Sequence, residues 1–179
     1  MPDIEKLLTG GDLRSIGQSN AVAELVTNQT EFDALFKLLQ HANRVIAMRA
    51  ADAAEKISLR RPEYLSPHKH TILQLLVTAA HKEIKWHIAQ LVPRLPLSDP
   101  ELEPVWAMLA GWACNTTESN IVRVNALQAL FDLARQNPTW QPAMAGIFAK
   151  ASKENIPSVT ARINKLMRQP KLQRPKKAM

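Results

Sequence analysis

An all-α solenoid of about four helix pairs, with an atypical N-terminal cap and a basic C-terminal tail, is the fold this sequence predicts. Three observations lead there. The stretch Glu83 to Leu95, EIKWHIAQLVPRL, sets Ile84, Ile88, Ala89, Leu91, Val92 and Leu95 on one face of an α-helix. A shift of 38 residues back gives Ile46, Ala50, Ala51, Ala53, Ala54 and Ile57, and the same shift forward gives Val122, Ala126, Leu127, Ala129, Leu130 and Leu133, so all eighteen positions are apolar. Five glycines and few β-branched runs disfavour sheet. A period in the high thirties carried by helix pairs marks a stack, because one pair cannot bury its apolar face alone.

The elements follow from the punctuation. Residues 3 to 8, DIEKLL, suit a short helix ended by Gly10 and Gly11, and a second runs from Ser19 or Asn20 towards Asn28; together they read as the cap that closes the first repeat. Thr30 and Asp33 suggest an irregular capping box for EFDALFKLLQ, whose buried stripe is Phe32, Leu35, Phe36, Leu38 and Leu39. Asn43 caps the first copy of the pattern and Pro62 stops it. Ser66-Pro67 reads as an N-cap with proline at the first helical position, and Ile72, Leu73, Leu75, Leu76 and Val77 bury the helix that follows. Pro93 removes a hydrogen bond from the last turn of the organising helix, so its end should kink or tighten near Leu91. Asp99-Pro100 opens the next helix, NTTESN (115–120) is a loop, and Asn137-Pro138 ends the third copy. A degraded fourth pair, 140–149 and 158–168, caps the array.

Charge is uneven along the chain. The net +7 comes entirely from Arg162, Lys165, Arg168, Lys171, Arg174, Lys176 and Lys177, since residues 1–161 hold equal numbers of acids and bases. The expected division is therefore a solenoid domain over 1–168 and a basic tail over 169–179 that buries too little to order itself. Cys114 is the single cysteine, in the apolar run MLAGWAC, which excludes an intramolecular disulfide and suggests a reducing compartment. No run approaches a membrane span and MPDIEKLL lacks a basic flank, so a soluble, cytoplasmic protein is expected.

Ile84-Lys85 followed by Ile88, Ala89, Leu91 and Val92, and Val122-Arg123 followed by Ala126, Leu127, Ala129 and Leu130, resemble the second helix of HEAT-type repeats over roughly residues 30–137. The first copy has Ile46-Ala47 without the basic residue, and the acidic residue often found in the preceding turn is missing, with His41, Ala79 and Thr117 nearest its place. The resemblance implies that second helices line a concave side. Arrays of this kind act as scaffolds, nucleic-acid binders and occasionally enzymes.

On that side the three copies carry Arg49, Asp52 and Lys56; His87, Gln90 and Arg94; and Asn125, Gln128 and Asp132. This polar row is the expected partner-binding surface, although any amphipathic helix has a solvated face and Asp52 is well spaced to pair with Arg49 and Lys56. Trp86, Trp106, Trp112 and Trp140 read as packing before ligand contact. The spacings His68 with His70 and His81 with His87 do not make a metal site, and no catalytic motif is present, so neither metal nor cofactor is expected and catalysis is uncertain. The leading reading is a non-catalytic module binding a protein or peptide on the concave row. Its alternative is nucleic-acid work like that of helical-repeat alkylpurine glycosylases, with Asp52 and Trp86 nearest to a site. The seven basic residues from Arg162 onward could in addition draw a polyanion such as nucleic acid.

Overall fold

A computed structural model describes residues 3–169 as ten α-helices, with no strand among the described residues. They are α1 (Ile4–Leu8), α2 (Ser19–Leu25), α3 (Gln29–Lys37), α4 (Arg44–Arg60), α5 (Lys69–Thr78), α6 (Lys82–Leu91), α7 (Asp99–Cys114), α8 (Asn120–Gln136), α9 (Gln141–Ala151) and α10 (Pro157–Met167). All eighteen positions of the 38-residue pattern are buried, none more than 8% exposed. The chain is thus an all-α solenoid: α1 and α2 form the cap, and four further pairs follow. No helix among the described residues is long and apolar enough to cross a membrane.

Local sequence sets most boundaries. Asp3 caps α1, and Asn43 caps α4 by accepting from the Val45 amide at 2.9 Å. Pro93 acts as expected: α6 stops at Leu91 and a 3₁₀ turn, Val92–Arg94, completes it. Two starts differ from expectation. Helix α3 begins at Gln29 rather than after Thr30, because Asn28 accepts from the Glu31 amide at 3.0 Å while the Glu31 carboxylate reaches back to the Thr27 amide at 2.7 Å. Ser66-Pro67 lies inside a 3₁₀ stretch, Pro62–His68, so α5 starts at Lys69 without a side-chain cap. The backbone there is set by core packing: Tyr64 and Leu65 are buried, and Tyr64 and His68 lie against the Phe32 ring.

The chain forms two compact units, the first ending at Ser98 and the second starting at Asp99. In the first, α4 packs against both α2 and α6. These second helices run the same way: Arg44 at the start of α4 bonds Glu83 at the start of α6, and Arg94 beyond α6 bonds Glu55 and Ser58 near the end of α4. In the second unit α8 packs extensively on α7, and α10 stacks on α8.

Candidate functional site

The nine polar residues of the second helices do sit at related register, but three of them are interior. Arg49 is 2% exposed. Its guanidinium donates to the carbonyls of Leu8 at 3.0 Å, Thr9 at 2.8 Å and Ser15 at 3.0 Å, gathering the C-terminal end of α1 and the loop after it. A cation at a helix C-terminus also meets the negative end of the helix dipole. Gly17, at φ +53°, lies under the same group, and a Cβ there would come within 2.7 Å of the guanidinium carbon. Asp52 is buried too, accepting from Ser19 Oγ and from Lys56 Nζ, and Lys56 donates as well to Asn20 Oδ1 at 2.6 Å. The expectation that Arg49 and Asp52 meet solvent is corrected: α2 and the loop before it cover the side of α4 that a two-faced amphipathic pattern treats as open.

His87 is the third correction. It is 1% exposed, and neither ring nitrogen has a hydrogen-bond partner among the described residues. Burial pushes it down to about 4; the charge of Asp52 acts to raise it and that of Lys56 to lower it. It is therefore neutral near pH 7, with the Trp86 ring 4.2 Å away. Arg94 is half-buried and bridges helices, donating to Glu55 Oε1 at 2.6 Å, Ser58 Oγ at 2.6 Å and the Glu55 carbonyl at 2.8 Å. Gln90 keeps to its own helix, with Nε2 3.4 Å from the Trp86 carbonyl.

In the second unit the row stays half-buried. Asn125 donates to the Ile121 carbonyl at 2.8 Å. Gln128 donates to Asp132 at 3.0 Å and accepts from Arg162 at 2.9 Å. Arg162 is thus drawn into the array, while Lys165 and Arg168 are exposed. Lys171, Arg174, Lys176 and Lys177, with the tail expectation that rests on them, lie outside the described residues.

One organising residue carried a visible signal whose role the sequence did not disclose. Arg123, the basic residue of the third copy, has no exposure and donates to Glu154 Oε2 at 2.9 Å, the Ala113 carbonyl at 3.2 Å and the Ala151 carbonyl at 3.4 Å. It ties the ends of α7 and α9 to the start of α8. Trp106 and Trp112 are buried, Trp86 and Trp140 half-buried, with the Trp106 and Trp140 rings 4.7 Å apart. Among the described residues no group of three or more His, Cys, Asp or Glu could hold a metal ion.

A groove of about 940 Å³ lies in the second unit, lined by Phe131, Met144, Phe148, Ile163, Leu166 and Met167 among others. Sequence reasoning did not find it, because it arises from how far α9 and α10 part and not from any motif.

A family model described as a HEAT repeat domain matches residues 11–169. Proteins that carry such repeats generally use them as protein-interaction scaffolds. Neither the curated proteins nor the solved structures yielded a match.

Proposed function

The chain belongs to the HEAT repeat family, and from that premise we propose that it is a non-catalytic interaction module that holds a protein or peptide partner against the second helices of its repeats. The observation carrying this reading is that the polar groups left at the surface are already fixed. Lys56 and Arg94 in the first unit are each held by an acid, and Gln128 in the second by Asp132 and Arg162. Side chains ordered before binding lose less rotamer entropy on contact, about 0.5–1.5 kcal/mol for each one that need not be immobilised. The three interior residues, Arg49, Asp52 and His87, are not part of this surface, and Lys56, Gln90, Arg94, Asn125, Gln128 and Asp132 are the side chains proposed to meet the partner.

Nucleic acid is the less favoured ligand of the row. Phosphate binding needs cations free to replace counterions. Here Arg49 is bonded to main-chain carbonyls, and Lys56 and Arg94 to carboxylates.

Photo-crosslinking in the native host tests the proposal. A photoreactive residue at Gln90 or Asn125, both half-buried, should give adducts with one defined polypeptide, while the same residue at exposed Val77 on α5 should not. Equal labelling from Val77, or adducts only with nucleic acid, would overturn it.

A further inference from the structure

Helix α9, QPAMAGIFAKA, carries a single charge, Lys150, and is apolar on nearly every side. A helix of that composition is ordinarily covered all round. Yet only Met144 and Ala151 are buried in it, and Pro142, Ala145 and Ala149 are exposed. The reason lies in the last pair. Helix α10 turns Val159, Ile163 and Leu166 inward and stacks on α8, but meets α9 little. The space left between them is the groove of about 940 Å³, with Phe131 of α8 in its lining, Met144 and Phe148 on the α9 side, and Ile163 and Met167 on the α10 side. Met167 is 68% exposed.

We propose that this groove docks an acidic amphipathic helix of another protein. The backbone argues for a helix. The elements around the groove are chiefly helices whose peptide groups are bonded internally, so no strand edge is offered, and an extended segment would bring unpaired amides into an apolar trough. A helix satisfies its own backbone and presents apolar side chains one and two turns apart, a spacing suited to a trough running between two helices. Met144 and Met167, unbranched and polarisable, can adjust to the side chains they meet.

The charges argue for an acidic partner. Among the described residues lining the groove the one charge is Arg135, and no carboxylate is present. Lys153 and Arg168, both exposed, directly follow the lining residues Ser152 and Met167. From Leu133 to Gln169 the sole acid is Glu154, which already accepts from Arg123, against Arg135, Lys150, Lys153, Arg162, Lys165 and Arg168. Acids flanking an apolar stripe would meet complementary potential on either side. The chain offers no good occupant of its own. Residues 170–179 bring Lys171, Arg174, Lys176 and Lys177 with no acid, and the acid-bearing amphipathic helix α3 already buries Phe32, Leu35 and Phe36 in the first unit.

The proposal rests on the reading of the chain as a protein-binding module but uses a different surface. Fluorescence anisotropy with the full chain tests it, the probe being a labelled helical peptide of about four turns with leucines along one stripe and glutamates beside them. Saturable binding is expected, at least about tenfold tighter than for the same peptide with lysine in place of glutamate. Ala145→Glu, at an exposed position that should leave the circular dichroism and melting of the chain unchanged, should weaken the glutamate peptide by roughly tenfold or more. The double change Arg135→Glu with Arg168→Glu should reverse the preference between the two peptides.

Placing photo-methionine at the methionine positions fixes the occupant, with adducts from Met144 and Met167 to the glutamate peptide expected. Absence of saturable binding, equal affinity for both peptides, indifference to Ala145→Glu, or adducts to residues 170–179 or to a second copy would each overturn the proposal. So would displacement of the peptide by duplex DNA with the DNA crosslinked at the same methionines. Adducts from Gln90 and Asn125 without peptide binding in the groove would sink this inference alone; peptide binding in the groove with nothing captured at Gln90 or Asn125 would sink the other alone.

Discussion

In the first unit the second helices consume their polar side chains on one another, whereas in the second unit the last pair of helices leaves its apolar ones unmet. Between α4 and α6, Arg94 reaches back to Glu55 and Ser58 and Arg44 reaches forward to Glu83. Between α2 and α4, Lys56 and Asp52 take up Asn20 and Ser19. Helices α9 and α10 are each bonded to α8, through Arg123 to the Ala151 carbonyl and Glu154 and through Arg162 to Gln128, yet Met167 and Ala145 stand open. The difference teaches that polarity is a poor guide to the available surface of a helical array. A charged side chain between stacked helices can be interior, and an apolar one at an incomplete pair can be the part most in need of a partner.

The largest break in this comparison should come from the core of the first unit. Ile88 has no exposure and is the central position of the middle copy. Ile88→Asp buries a carboxylate without a partner and should lower stability by roughly 4 kcal/mol or more, a large part of a margin of about 5–15 kcal/mol. A soluble variant with an unchanged denaturation midpoint would contradict the stacking of α4 on α6.

Acid should act next. His87 in the folded chain sits at about 4, below its ordinary 6.5, so the unfolded chain takes up the proton first as pH falls. Stability is therefore fully present above about pH 6.5 and declines as pH drops towards 4, by about 3 kcal/mol at the conversion of 1.36 kcal/mol per unit. The charged groups facing it are Asp52 and Lys56 from α4. In His87→Leu the part of the pH dependence between about 6.5 and 4 that belongs to this ring should vanish. Urea midpoints measured across that window for both proteins decide the matter, and identical slopes would show that His87 is not the titrating group.

These same residues show what the sequence could and could not carry. The fold was legible because burial of a repeated helix face is a periodic property: eighteen apolar positions 38 residues apart all proved interior. Turn chemistry at Asn43, Pro93 and Asn137-Pro138 was legible for the same local reason. The surface was not. Whether Arg49 points to solvent depends on where a loop more than thirty residues earlier lies, as its bond to the Ser15 carbonyl shows. Arg123 looked like a family signature, but its bonds to Ala151 and Glu154 depend on how the following helix turns. The groove has no signature at all beyond the uniformly apolar α9, which by periodicity alone reads as a buried helix.

A paired change sharpens the contrast in polar bonding. Arg94→Met keeps the stem but leaves Glu55, whose side chain is 13% exposed, without its cation, and should cost about 2 kcal/mol, less than the 3–5 typical of fully buried pairs. Arg162→Met in the second unit removes a bond to a neutral amide, Gln128, together with the attraction of the Asp132 charge, and should cost about 1 kcal/mol. Chemical denaturation of both variants gives the ranking, and an equal cost would remove the distinction drawn between the two units.

The smallest effect belongs to the groove, and its smallness is the informative part. Met144 and Met167 line the same space, yet Met144 is 6% exposed and Met167 is 68% exposed. Met144→Gln puts an amide where it cannot find full hydrogen bonding and should cost about 1–3 kcal/mol. Met167→Gln exchanges one exposed side chain for another of similar length and helix propensity, so stability should move by no more than about 0.5 kcal/mol. If Met167→Gln were as costly as Met144→Gln, the methionine would be a working part of the domain's own core and the space beside it no docking surface. If instead it leaves stability untouched while weakening the glutamate peptide, the side chain acts on a ligand outside the fold, because the loss of binding then arises without any loss of the domain's own packing.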